Sequence, residues 1–256
     1  MTEADAINME KDRNFWNSEK IRFFRDAGDN LLFNRELADR MMKYMDPEDH
    51  VCDVACGLGY LTLELADMCR RVTAADISHE ALGVLRDNLE RSPKENVDVI
   101  EGDVFAMPED LKFDTMIFNH FGKVREIVEL TAKHGKRNSV MVRKNWKYHR
   151  FADKKVPITH LIFSEDCRTL DEMGIPYRTE LFQIDMGQPL RSLDEAMRFF
   201  RLYNKSGKPE SITMEDVLAK IEKTDLEEFP YYMPSKKESA FIIINADEVR
   251  DIIKRK

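Results

Sequence analysis

The sequence predicts an α/β chain whose core is a mostly parallel sheet covered by helices on both faces. Three observations predict it. Short apolar runs alternate with amphipathic segments along most of the 256 residues, the pattern of strands joined by crossover helices. Seven of those runs have strand length. The stretch VCDVACGLGYLTLELA, Val51 to Ala66, turns from an apolar run into a helical pattern through two glycines, the form of a strand-to-helix turn that approaches a ligand with its backbone.

In order, residues 17–27 and 30–45 read as helices, the second carrying Leu31, Leu32, Leu37, Met41, Met42 and Met45 near helical spacing before the breaker DPED. A strand at 50–55 and a helix at 60–70 follow. RVTAAD is a second strand ending at Asp76, and ISHEALGVLRDNLERS is a helix opened by Ser78 as N-cap with Glu80 behind it. Strands are expected near 97–101, 113–118 and 138–143, with a helix at 123–134. A helix at 164–173 and a strand at 177–185 come next, then the amphipathic segments SLDEAMRFFRLYN and TMEDVLAKIEK and a last strand, SAFIIIN, at 239–245. No internal repeat or low-complexity tract interrupts the pattern.

Composition narrows the function. The 43% apolar content suits a globular core. The opening MTEADAINMEKDRNFW is acidic and polar, and no apolar run reaches the roughly 20 residues of a membrane span, so a cytoplasmic protein is expected. Cys52, Cys56, Cys69 and Cys167 form no Cys-x-x-Cys pair and the six histidines are scattered, so no metal is expected. The net charge of −8 is uneven: Lys133 to Lys155 holds nine Lys or Arg against Asp153 alone, locally +8. Arg143, Lys144, Lys147 and Arg150, interleaved with Trp146 and Tyr148, have the form of a phosphate-binding cluster. The same charges can pair with the acidic excess of the remaining chain, −16 in all. That second reading is preferred, with an anionic small molecule ahead of nucleic acid.

In an open parallel sheet, ligands bind beyond the carboxyl ends of the strands. Gly57 and Gly59 place a turn there, and Asp76 stands where ribose hydroxyls would be accepted. A dinucleotide fingerprint wants a third glycine where Thr62 stands. Asp53, four residues before Gly57, would repel a pyrophosphate but suits an ammonium group. EGDVFAMP ends its strand with Asp103, placed to accept from an adenine amino group, and FDTMIFNHFGK ends the next with Asn119. Over residues 48–145 the chain resembles class I S-adenosylmethionine-dependent methyltransferases. The carriers are Asp-x-x-Cys-Gly-x-Gly at 53–59, Asp76, Gly-Asp at 102–103 and Asn119.

That resemblance implies a Rossmann-like, seven-stranded sheet with an antiparallel last strand, S-adenosyl-L-methionine as cofactor and S-adenosyl-L-homocysteine as product. It implies that Asp53, Ala55, Gly57 and Gly59 hold the methionine end, Asp76 and Ile77 the ribose and adenine, and Asp103 and Val104 the adenine edge. Asn119 would face the transferring methyl. FNHFG stands in place of the Asn-Pro-Pro-Tyr motif for amide or aromatic amine nitrogen, which disfavours those acceptors. Transfer from a sulfonium chiefly needs positioning and exclusion of water. If a base is used, His120 is the best-placed catalytic candidate, ahead of His149 and His160; the preferred plain reading of His120 is a loop histidine capping the next helix.

The organisation expected is a single methyltransferase domain: N-terminal helices over 1–46, a cofactor-binding core over 47–186, a helical insertion over 187–235, and the last strand and tail over 236–256. The insertion, with Phe199, Phe200, Tyr203 and FPYYMP, is expected to overhang the acceptor as a lid together with Trp16, Phe23 and Phe24; a homodimer contact or extra core are its other readings. The function expected is methyl transfer to a small molecule, anionic or aromatic. The alternatives are an RNA or protein methyltransferase using 133–155, a non-catalytic adenosylmethionine-binding protein, and an NAD-dependent oxidoreductase.

Overall fold

The computed structural model describes residues 15–149, 151, 155–204 and 208–255. Its main sheet contains β1 (His50–Val54), β2 (Arg71–Asp76), β3 (Val97–Glu101), β4 (Phe113–Asn119), β5 (Gly135–Lys144), β6 (Tyr177–Asp185) and β10 (Lys236–Asn245). They stand in the order β3-β2-β1-β4-β5-β10-β6, with β10 antiparallel to both neighbours. The seven strands and the reversed last one are those expected. The order turns around between β1 and β4, so the loops after these two strands part there and leave a crevice at their carboxyl ends.

Helices α3 (Tyr60–Ala66), α4 (His79–Arg91), α5 (Val124–His134) and α6 (Phe163–Met173) connect the strands. Ser78 caps α4 as expected, its hydroxyl accepting from Ala81 N–H at 3.2 Å. Apolar clusters on both faces of the sheet match its near-continuous apolar strands. At the N-terminus, α1 (Ser18–Asn30) and α2 (Phe33–Met41) precede β1. The expected 30–45 helix is shorter and breaks before α2, leaving Leu32 exposed while Leu37 and Met41 are buried.

The segment between β6 and β10 is not purely helical. It holds β7 (Gln188–Leu190), α7 (Leu193–Tyr203), α8 (Met214–Leu218), β8 (Glu222–Lys223) and β9 (Tyr231–Met233), and its three short strands form a second antiparallel sheet in the order β7-β9-β8. Strands of two or three residues are too short to show an alternation, which is why their sequence reads as loop. The tail after β10 is likewise a helix, α9 (Ala246–Arg255), with Asn245 Oδ1 accepting from Asp247 and Glu248 N–H.

Phe23 ties α1 to the insertion. It is 0% exposed and packs with Leu190, Phe199, Phe200 and Met233, while Gln188 Nε2 donates to Phe23 O at 3.1 Å. Around this apolar centre Arg191 forks onto Asp26, Arg22 meets Glu195, and Arg191 also reaches Glu228 at 3.1 Å. Phe23→Ala is expected to cost about 3–5 kcal/mol of stability, the range for removing a buried aromatic side chain. Limited proteolysis should then cut the 187–235 segment before the main sheet; a variant as stable as the parent by urea denaturation would show that α1 does not anchor the insertion.

Candidate functional site

The crevice is built on the turn after β1. Ala55, Gly57 and Gly59 have φ of 56°, 57° and 75°, so the chain passes through the left-handed region three times in five residues. Cys56 N–H donates to Ala75 O at 3.1 Å and Gly59 N–H to Cys56 O at 3.1 Å. The carboxylate of Asp76 closes the arrangement, one oxygen accepting from Gly57 N–H at 2.8 Å and the other from Ser78 N–H at 2.8 Å. Asp76 thus braces the turn as well as standing at the end of β2.

The two glycines serve different neighbours. A Cβ on Gly59 would stand 2.5 Å from Leu85 Cδ1, so glycine there lets the turn settle on α4. A Cβ on Gly57 would stand 2.9 Å from Trp16 Cζ2. Trp16 covers this point of the turn, held edge-on by Phe15 and Phe24 at centroid distances of 5.1 and 4.9 Å. Neither Trp16's contact nor that of Tyr60, whose hydroxyl donates to Asp29 at 2.7 Å, follows from any local pattern in the sequence.

Asp53 lies beneath the turn, 1% exposed, at the point where β1 pairs with both β2 and β4. Thr62 Oγ1 donates to Asp53 Oδ2 at 2.7 Å. The residue that breaks the dinucleotide fingerprint therefore orients the buried acid. Burial raises the Asp53 carboxyl to about 6, opposed by the Thr62 bond and reinforced by the charge of Asp76. Burial also raises Asp76, against the backbone N–H groups that hold its charged form.

The remaining expected residues line the same end of the sheet. Ile77 is half-buried beside Asp76. Asp103 is half-buried and accepts from Phe105 N–H at 3.0 Å. Val104 places its side chain in the core, leaving only its backbone to a ligand. Phe105 and Phe121 face each other at 6.3 Å. Asn119 ends β4, and His120 follows with φ 53°, its N–H donating to Val142 O at 3.3 Å and its ring 6.4 Å from that of Trp146. The N-cap position of α5 is Lys123, whose N–H goes to Glu126 Oε2. Phe151, beyond Trp146, packs on Phe199 at 4.9 Å, so the chain after β5 links the His120 side of the crevice to the insertion.

Four of the nine cations of the basic run have acidic partners within the molecule. Lys133 pairs with Glu109, Lys136 with Asp114 and Arg137 with Asp49. Arg143, placed by the sequence in a surface cluster, is instead 0% exposed and paired with Asp166. Lys144 Nζ lies 3.4 Å from His160 Nε2 and Lys147 is exposed; Arg150 lies outside the described residues. Among the described residues no cluster of three or more His, Cys, Asp or Glu could hold a metal ion, and no helix is long and apolar enough to cross a membrane.

The pH dependence of the site is a property of the chain alone. Asp53 has a higher pKa folded than unfolded, so the folded state binds its proton more tightly. Stability from this group is therefore highest below about pH 4 and is lost as pH rises to about 6. Asp53→Asn keeps an oxygen for Thr62 and removes the charge. The variant should match the parent near pH 4 and exceed it by on the order of 2 kcal/mol at pH 7. Urea midpoints across that range test it, and a constant difference between the two proteins would refute the buried acid.

Residues 51–135 match the family model of the methyltransferase domain. An rRNA methyltransferase of Streptomyces thermotolerans is 32% identical over 115 residues, 44% of this chain and 38% of its own. A probable cobalt-precorrin-6B C(15)-methyltransferase (decarboxylating) of Methanococcus vannielii is 26% identical over 95 residues, 37% of this chain and 53% of its own. The chain thus spans less than two thirds of the length of either curated relative. Among solved structures, magnesium protoporphyrin IX methyltransferase from Synechocystis PCC 6803 has the same fold. With S-adenosylmethionine bound it superposes at a TM-score of 0.52 and 18% identity over 68% of this chain and 89% of that one. With S-adenosylhomocysteine bound the values are 0.53 and 14%, over 90% and 97%.

Proposed function

We propose that this chain, whose residues 51–135 match the methyltransferase domain within a seven-stranded sheet, transfers a methyl group from S-adenosyl-L-methionine to a small-molecule acceptor. The observation that carries the donor half is the left-handed turn 55–59 braced by Asp76 above the buried carboxylate of Asp53. Gly57 has no side chain, so a ligand that takes the place Trp16 holds in this structure can approach its backbone closely. Asp53 offers an ammonium group a buried counter-charge. Asp76 keeps lone pairs for hydroxyl donors beside those it spends on Gly57 and Ser78. When bound, the donor supplies a methyl already activated by its sulfonium, so the protein's task is orientation and exclusion of water.

The acceptor half is carried by where the chain places its aromatic residues. The insertion hangs from the carboxyl end of β6, where Ser235 N–H meets Asp185 at 2.7 Å, and reaches the Gly57 turn through α1 and the His120 loop through Phe151. In this reading it closes over the acceptor, with Asn119 facing the reacting carbon and His120 within reach of an acceptor proton. Burial removes Arg143 from any phosphate-tracking face, and acidic partners beside Lys133, Lys136 and Arg137 lower the net charge that such a face would offer. An RNA acceptor is the second reading, favoured by the Streptomyces rRNA methyltransferase match.

Two measurements test the proposal. Calorimetry with S-adenosylhomocysteine should show affinity rising from pH 5 to 7 with proton release near pH 6, because a cation beside Asp53 favours its ionised form. Asp53→Asn should remove that dependence and cost about 1.5–3 kcal/mol of binding at pH 7. A flat pH profile would remove Asp53 from the donor site. Tritiated S-adenosylmethionine should label a small-molecule fraction of cell extract, while bulk ribosomal RNA should bind weakly at physiological salt. Tight RNA binding that weakens steeply with salt would favour the second reading.

A further inference from the structure

Arg143 is the largest wholly buried side chain in the described structure. It leaves β5 on the face covered by α5 and α6, and every arm of its guanidinium is used. Nε pairs with Asp166 in the first turn of α6. Nη1 donates to Val142 O at 3.1 Å and, at 3.5 Å, to Phe118 O. Nη2 donates to Gly122 O at 3.0 Å.

Phe118 and Gly122 are the residues on either side of Asn119, His120 and Phe121. This loop is bent through two left-handed residues, His120 at 53° and Gly122 at 73°. For a residue with a Cβ, that conformation is unfavourable and persists where the surroundings over-determine it. Phe118 O and Gly122 O are anchored by one rigid fork, and His120 N–H is anchored on the backbone of β5. A buried ion pair is a weak source of stability, since well-packed apolar side chains do as well or better. An apolar residue at 143 could fill the space but could not hold the two carbonyls at a fixed separation.

We propose that Arg143, oriented by Asp166, is a positioning residue that clamps the Asn119–Phe121 tripeptide, so that the acceptor step depends on it while donor affinity does not. This rests on the reading of Asn119 and His120 as the acceptor end of the site. On the same reading the methionine end, ribose and adenine are held by the turns after β1, β2 and β3, which Arg143 does not touch.

The tests are Arg143→Lys, which keeps the charge but loses the fork, and Asp166→Asn, which keeps the shape but loosens the guanidinium. Both should bind S-adenosylhomocysteine within about twofold of the parent. Amide hydrogen exchange at 119–123 should accelerate at least tenfold, with 55–60 unchanged. Methyl transfer from tritiated S-adenosylmethionine to the accepting extract fraction should fall about 10- to 100-fold in kcat, the scale of an ångström of misplacement, at unchanged KM for the donor. Asp166→Asn should be the milder, and it decides the matter if Arg143→Lys does not fold. A folded variant with parental exchange at 119–123, or with parental kcat, overturns the clamp. A parent protein that neither binds S-adenosylhomocysteine nor transfers label would sink the reading of the whole site, a distinguishable failure.

Discussion

The carboxylate of Asp76 is the contact on which the crevice depends. Its two oxygens hold Gly57 and Ser78 N–H at 2.8 Å each, and so join the turn after β1 to the turn after β2. A chain that enters the left-handed region three times in five residues has no reason to stay there on local preference alone. Once the turn is fixed, the rest is packed upon it: Leu85 against Gly59, Trp16 against Gly57, and Thr62 reaching back to Asp53 from the helix the turn begins. The arrangement buries two acids within one site. Their raised protonation ranges show that desolvation outweighs the hydrogen bonds they accept.

The N-terminal segment has two partners, and this connects the insertion to the turn after β1. On one side Phe23 and the Asp26–Arg191 fork lock α1 to the insertion core. On the other, Gly28 backs onto the ring of Tyr60, and Trp16 lies on Gly57. The sequence offers Trp16, Phe23 and Phe24 as parts of a lid with the insertion; in the structure Trp16 covers the turn with Phe24 against it, and Phe23 is core.

How much was legible in the sequence follows from how local each signal is. The strands, the glycine turn, the Ser78 cap and the acids ending β1 and β2 are each announced within a few residues, and they stand where they were expected. The β7–β9–β8 sheet and the α9 tail were missed because two- and three-residue strands carry no period, and because a helix entered straight from a strand has no breaker before it. Arg143 was misread for a different reason. Its neighbours in sequence are cations, while its partner Asp166 is twenty-three residues away on another element. Charge counted along the chain sees the first and not the second. Thr62 was read as a missing glycine, and its positive role appears only when its hydroxyl is seen on Asp53.

The two halves of the proposed site are organised by opposite electrostatic arrangements across the point where the strand order reverses. On the β1–β2 side, buried carboxylates stand in excess of buried cations, so the resting site carries an unfavourable charge that a cationic ligand would relieve. On the β4–β5 side, the buried charge is already matched, Arg143 to Asp166 and to three carbonyls. The first arrangement gives binding energy to a ligand that brings an ammonium group. The second offers no charge of its own to a ligand and supplies geometry instead. On the proposed reading this division suits the chemistry: a sulfonium needs little further activation, so recognition is concentrated at the donor and rigidity at the loop beside the reacting carbon.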